Sequence, residues 1–309
     1  MEEDVWALSK RSDALWIRAR MVQAMRRFFI ERNYLEVETP FRVPALIPEE
    51  HIDAVPCGDW FLHPSPELCM KRLLAAGFGR IFQICKCFRE GEKGVLHLPE
   101  FSILEWYRRD TDYTSLMQEC RELITFTACA LDCGSSIVYQ EKVVNLKEPW
   151  ERLSVREAFD RYASMSPEDA LRYDRFDEIM VRYIEPHLGN ERPTFLYDYP
   201  VSLGALARAK KEDPTVAERF ELYIAGIELA NAFSELTDID EQRLRFKKTQ
   251  EYRSSMGRPV YPVSERFLRA LDTMPESAGI ALGVDRLAMI FTNSTSIDEV
   301  VAFTPELLC

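Results

Sequence analysis

The sequence predicts an α+β fold built on a mostly antiparallel sheet, and three observations carry that prediction. Helical and strand-like segments are mixed without the strict alternation of a parallel sheet. The strand-like runs 81–89 and 101–108 flank one polar loop, and Ala225-Gly226 provides the tight turn of a second hairpin. No Gly/Ser/Pro-rich linker divides the 309 residues. The chain therefore reads as a single domain, 1–309, with a helical insertion at about 110–190.

Composition bounds the function. Apolar residues make up 47% and charged residues 29%, the balance of a soluble globular protein with a full core, which excludes intrinsic disorder. No stretch approaches the ~18 apolar residues of a membrane span. The first residues, Met1-Glu2-Glu3-Asp4, lack the apolar core of a secretory signal, so a cytoplasmic protein without a membrane partner is expected. The charge sum, 39 − 51 = −12, argues against an extensive nucleic-acid interface but leaves room for a local basic patch. Eight cysteines and four histidines are present, but Cys85-x-Cys87 and Cys129-x3-Cys133 match no C-x-x-C pair. Reduced core thiols are expected rather than a zinc site or redox pair.

The elements follow in order. Residues 13–32 form an amphipathic helix with Asp13 as candidate N-cap and Leu15, Met21, Val22, Met25, Phe28 and Phe29 on one face. An extended piece follows at 36–40. Ser65-Pro66-Glu67 opens a second helix, with a capping hydroxyl, Pro in the first turn and an acid near the positive end. That helix ends near Gly77. After strands 81–89 and 101–108 comes a helix at 114–133 stopped by Gly134, then two short strands within 136–146. Ser154-x-x-Glu157 is a capping box, and Ser166-Pro167-Glu168-Asp169 opens a further helix. Strands return from 194, followed by a helix at 239–256 stopped by Gly257 and a strand running into a helix around Gly283.

Three clusters carry chemistry. If 101–108 is a strand, Phe101, Ile103, Glu105 and Tyr107 share a face because side chains alternate with period two. A carboxylate there needs a cation, either a neighbouring Arg or the ammonium group of a ligand. In the second cluster the Ala225-Gly226 turn pairs Ile224 with Ile227 and Tyr223 with Glu228, placing Glu221 diagonally near Glu228. Two such carboxylates suit Mg²⁺ bound with nucleotide phosphates, or are simply solvated acids. Asn231, Phe233 and Glu235 alternate out of step with Glu228, so a shared pocket requires a bulge near Ala230. In the third cluster, Gly279-Ile280-Ala281-Leu282-Gly283-Val284-Asp285-Arg286, Arg286 lies in the first turn of a helix, a favourable place for a phosphate. P-loop and dinucleotide fingerprints are absent.

In this order the clusters resemble the three motifs of the class II aminoacyl-tRNA synthetases, nearest the lysyl enzymes. Arg32-Asn33-Tyr34-Leu35-Glu36-Val37-Glu38-Thr39-Pro40 looks like motif 1, residues 88–107 like motif 2 and 279–287 like motif 3. The stretch Glu228-Leu229-Ala230-Asn231-Ala232-Phe233-Ser234-Glu235-Leu236 is lysyl-type. The helix before motif 1 begins near residue 13, so no anticodon-binding domain is expected. That narrows the resemblance to the elongation factor P–(R)-β-lysine ligases.

The resemblance implies a set of roles. ATP is the co-substrate, held by Arg89, Glu90, Gly91, His97, Leu98, Phe101, Glu228, Leu229 and Arg286. Arg89 grips the α-phosphate and Arg286 the γ-phosphate as catalytic cations, while Phe101 stacks on adenine. Glu221 and Glu228 hold Mg²⁺. Ser65, Pro66, Glu67, Glu105, Tyr107, Asn231, Phe233, Glu235 and Ala281 surround β-lysine. Ala281 stands where lysyl-tRNA synthetases have Gly, a change that accompanies preference for β- over α-lysine. The acceptor is a lysine of elongation factor P rather than tRNA, and motif 1 builds a homodimer. Two positions depart from the family wording: Gly91 replaces a Glu that contacts adenine, and Leu98 replaces an Asn. A truncated lysyl-tRNA synthetase, another amino acid ligase and a catalytically silent paralogue are the competing expectations.

Overall fold

The computed structural model describes residue 6 and residues 8–308; the acidic Met1-Glu2-Glu3-Asp4 and Cys309 lie outside the described residues. In chain order its strands are β1 (Leu35–Glu36), β2 (Arg42–Val43), β3 (Pro56–Cys57), β4 (Trp60–Leu62), β5 (Arg80–Phe88), β6 (Glu100–Arg109), β7 (Ser136–Tyr139), β8 (Lys142–Asn145), β9 (Glu151–Ser154), β10 (Thr194–Pro200), β11 (Val216–Ile224), β12 (Ile227–Ser234) and β13 (Ser277–Gly283). Eight of them form one sheet in the order β1-β5-β6-β13-β12-β11-β10-β9. Its interior pairs are antiparallel as expected; the edge pairs β1–β5 and β9–β10 are parallel.

Alternation divides this sheet into an apolar face and a site face. On the first, Phe82, Leu104, Trp106, Ile280 and Leu282 pack with Met21, Met25, Phe28 and Phe29 of the Ser12–Glu31 helix. Phe29 stacks on Phe82 at 4.8 Å and meets Trp106 at 5.1 Å. Each such side chain contributes roughly 1.5–3 kcal/mol on burial, and together they fix the back of the sheet. The Tyr113–Ala130 helix joins the same core through Leu116, Cys120 and Leu123. A second core gathers Leu153, Phe159, Phe176, Ile184 and Leu196 around Tyr223 of β11.

Most local signals act where the sequence places them. Ser154 and Glu157 form the capping box, and the Ser166 side chain accepts from the Asp169 N–H. Asp13 is a correction: the expected helix starts at Ser12, its N-cap Arg11 makes no side-chain cap bond, and Asp13 sits inside its first turn. There its charge still faces the positive helix end. The small sheet β2-β4-β3 and the Glu265–Leu271 helix were not anticipated, because two- and three-residue strands are too short to show a period. Among the described residues no helix is long and apolar enough to cross a membrane.

Candidate active site

The site face is assembled by register. Gln83, Glu105, Ala281, Asn231 and Glu221 are successive partners across β5, β6, β13, β12 and β11. Two residues along each strand lies the parallel row Ile81, Tyr107, Gly279, Phe233 and Arg219. The expected hairpin is present: Ala225 and Gly226 both have positive φ, Ile224 pairs with Ile227 and Tyr223 with Glu228. The register then shifts, with Leu222 opposite Ala230. That bulge at Leu229 turns Glu228 back to the face of Asn231, as the shared pocket requires.

Over this face lies a cleft of about 350 Å³, lined by residues including Ser65, Glu67, Arg89, His97, Leu98, Phe101, Glu105, Tyr107, Glu228, Leu229, Asn231, Phe233, Ala281 and Arg286. Leu98 is otherwise buried in the main core. Pro66 lines a small adjoining pocket. Glu235 and Glu221 are buried beneath the cleft. Glu90 and Gly91 lie on the turn after β5, where the Glu90 N–H donates to the Asp53 carbonyl at 2.7 Å and Gly91 has φ +72°.

One end of the cleft is a buried acid cluster. Ser65 Oγ donates to Glu105 Oε1 at 2.7 Å, and Tyr107 OH donates to Glu105 Oε2 at 2.8 Å. Lys71 Nζ lies 2.6 Å from Glu67 Oε1 and 2.5 Å from Glu235 Oε2. Burial, reinforced by the Glu67 charge, pushes the Glu105 carboxyl up to about 7. Burial also pushes Glu235 up to about 8 despite Lys71. Two acids thus contact the Lys71 ammonium, Glu105 lies within reach of its charge, and Glu235 Oε1 takes no hydrogen bond among the described residues. The crowding depends on Gly279: a Cβ there would come within 2.3 Å of the Tyr107 ring and 2.6 Å of Glu235 Oε1.

The other end carries the arginines. Arg286 lies in the first turn of the Val284–Thr292 helix; its Nη1 donates to the Glu228 carbonyl at 2.9 Å and to Glu228 Oε2 at 3.2 Å. Its Nη2 meets His97 Nε2 at 2.6 Å. Burial and then the Arg286 charge lower the His97 pKa, which keeps the ring neutral at pH 7. Asp285 ties this turn to β6 by accepting from the Ser102 N–H at 2.6 Å. The Arg89 guanidinium lies 4.9 Å over the Phe101 ring, with Glu92 a loose 3.6 Å away. Between the ends, Glu221 accepts from Tyr199, Tyr223 and Arg219 at 2.6, 2.7 and 2.7 Å. Burial and the Glu221 and Glu228 charges push Glu185 up to about 7.

Sequence reasoning missed Lys71, Arg219 and Gly279. Glu67 and Lys71 stand four residues apart on one helix, a spacing that usually marks a solvated ion pair. Nothing local shows that the pair is buried against Glu235.

The chain matches the family described as tRNA synthetases class II (D, K and N) over residues 5–306. It is 40% identical to the elongation factor P–(R)-β-lysine ligase of Proteus mirabilis, covering 96% of this chain and 97% of that protein. It is 41% identical to the elongation factor P–(R)-β-lysine ligase of Pectobacterium carotovorum subsp. carotovorum, covering 99% of each. The corresponding Mannheimia succiniciproducens ligase is 39% identical, with 98% of each covered.

Proposed function

We infer the working of this cleft from one premise: the chain belongs to the class II tRNA synthetases and, within them, to the elongation factor P–(R)-β-lysine ligases. It is an ATP-dependent ligase that joins β-lysine to elongation factor P. The observation that carries our assignment of residues is the excess of buried carboxylate around Lys71. Glu67, Glu105 and Glu235 are three acids against one internal ammonium, so a second ammonium, that of the substrate, is favoured there. Tyr107, Asn231 and Phe233 line the stem, with Ala281 at the floor between Glu105 and Asn231.

The substrate carboxylate then points along β6 toward Arg89. In the first step a carboxylate oxygen attacks the α-phosphorus of ATP, a phosphorus–oxygen bond forms, and pyrophosphate leaves. The nucleophile is ionised at neutral pH, so no general base is needed. Arg89 stabilises charge at the α-phosphate and Arg286 at the leaving phosphates, while Phe101 supports the adenine. In the second step a lysine ε-amine of elongation factor P attacks the acyl carbon, AMP leaves and the amine releases a proton.

Glu221 and Glu228 share a face of the β11–β12 hairpin, burial and then the Glu228 charge raise the Glu221 carboxyl, and two such oxygen donors suit Mg²⁺. Glu221 and Glu228 would hold the ion, which supplies charge neutralisation on the phosphates when bound. The reading extends to a cytoplasmic protein that does not aminoacylate tRNA and that dimerises through motif 1. There β1 lies at the sheet edge beside the exposed side chains of Ile30, Leu35 and Phe78. Sedimentation of Leu35→Glu should show a monomer; an unchanged dimer places the interface elsewhere.

Pyrophosphate exchange tests the chemistry. β-Lysine should support exchange better than α-lysine, and radiolabel should then pass to elongation factor P and not to tRNA. Exchange with α-lysine alone, or labelling of tRNA, would overturn the substrate or the acceptor.

A further inference from the structure

Beside the cleft, but outside the residues assigned to it, two cysteines and a histidine come together. Cys85 and Cys87 are two residues apart on β5, so alternation puts both thiols on one face. Opposite them stands His63, whose imidazole is buried. The Sγ atoms of the two cysteines and a ring nitrogen of His63 lie within 4.8 Å of one another. We propose that Cys85, Cys87 and His63 form a binding site for a thiophilic d¹⁰ cation, Zn²⁺ or Cu⁺.

Three observations beyond proximity support it. First, His63 is 2% exposed, and neither ring nitrogen makes a hydrogen bond of normal geometry among the described residues, the Ser65 backbone being the polar group that acts on the ring. A buried imidazole ordinarily finds a partner, and a metal ion is one that needs no further protein group. Second, the ring is held in place. The Phe88 N–H donates to the His63 carbonyl at 3.1 Å, the His63 N–H donates to the Phe41 carbonyl at 2.8 Å, and the Phe41 ring stacks on the imidazole at 5.6 Å. The histidine is thus laced to the end of the strand that carries both thiols. Third, the nearest packing is apolar, with Ile103, Phe101 and Ala281 against the cysteines, while the charges of Glu105 and Arg89 reach Cys87 with opposite signs. Two thiolates and a neutral imidazole around Zn²⁺ sum to zero charge, which suits a dry site. Three ligands of this softness also suit Cu⁺. Among the described residues the seven cysteines are free of disulfides, so both thiols are available.

The site has a structural consequence. His63 lies two residues before Ser65, and Cys87 two residues before Arg89. A bound cation would pin the loop carrying Ser65-Pro66-Glu67 to the strand that leads into Arg89.

Cobalt provides the direct test. The purified full-length chain is reduced, stripped of metal and titrated with Co²⁺ without oxygen. A thiolate-to-cobalt charge-transfer band and the visible bands of low-coordinate cobalt should rise to about one equivalent per chain. Ligand thiols bind as thiolates, so saturation should release up to about two protons to the buffer. Cys87→Ser and His63→Leu should each weaken binding by about 100-fold or more, extrapolating from the 10–100-fold cost of losing a supporting group around a metal. Cys129→Ser, at an exposed thiol, should bind as the parent does. Competition of Zn²⁺ for Co²⁺, and of the chain with a bicinchoninate chelator for Cu⁺, distinguishes the two cations. Absence of the bands in the parent, or their survival in both Cys87→Ser and His63→Leu, overturns the proposal. Circular dichroism of each variant separates lost ligation from lost fold. The readout is spectroscopic, so it stands apart from whether the chain uses β-lysine.

Discussion

The two ends of the cleft are built differently. The amine end is buried, and its acids are held by a cross-strand row, a helix and short hydrogen bonds. Glu105 takes two of these, and Lys71 bridges Glu67 to Glu235. The phosphate end is more open: Arg89 follows β5 with a loose 3.6 Å ion pair and a stack on Phe101, and Arg286 leans on Glu228 and His97. A rigid, desolvated end discriminates among amines, because an ammonium placed wrongly leaves buried carboxylates without a partner. An end whose cations sit at element termini, Arg89 just past β5 and Arg286 in the first turn of its helix, can regroup as ATP becomes pyrophosphate and AMP. On the proposed assignment, specificity and turnover are divided between the buried acids and the arginines at the ends of elements.

That contrast can be broken most visibly at the arginines. Arg89→Ala or Arg286→Ala should lower pyrophosphate exchange by about 10²–10³-fold, while Arg89→Ala leaves the urea midpoint nearly unchanged. If exchange survives, the phosphate end has been misplaced. Lys71→Met should behave in the opposite way. It removes the one cation buried among the acids, so destabilisation of about 3–5 kcal/mol is expected in urea unfolding. A variant as stable as the parent would show that the acids are protonated rather than paired.

The pH dependence sharpens the same point with a definite sign. Burial raises Glu235 to about 8, and Glu105 and Glu185 to about 7, from 4.5. Each group binds its proton more tightly in the folded chain. Its contribution to stability is full below about 4.5 and is lost as pH rises through the folded value. Without substrate, the unfolding free energy should therefore fall as pH climbs toward about 8. The stabilisation given by saturating β-lysine should grow over the same interval, because its ammonium requires the ionised acids. Calorimetric scans across pH would contradict this if both trends were flat. The smallest effect is expected at Ala281→Gly, which removes one methyl at the pocket floor. The ratio of exchange rates for β- and α-lysine should shift by roughly tenfold, within the 1–3 kcal/mol that one methyl group commands.

Much of the site was legible because its signals are short-range. Alternation along 101–107 placed Glu105 and Tyr107 on one face, and the Ala225-Gly226 turn fixed the Tyr223–Glu228 pairing. The parity of Glu228 and Asn231 demanded a bulge, and the register shift lies at that point. Lys71 was not legible, since only the packing of its helix against β6, beside Glu235, separates a buried bridge from a surface pair. His63 escaped for a similar reason: no spacing rule connects it to Cys85 and Cys87, and their meeting depends on the chain crossing beside the end of β5.

By itself the sequence determined which groups are available and which face each strand presents, because side-chain periodicity and turn geometry are properties of a few consecutive residues. Only the tertiary structure decided which of those groups lose their water and which cations they meet. Desolvation and pairing depend on strands distant in sequence coming into register, and that long-range juxtaposition turned scattered glutamates into one buried acid cluster around Lys71.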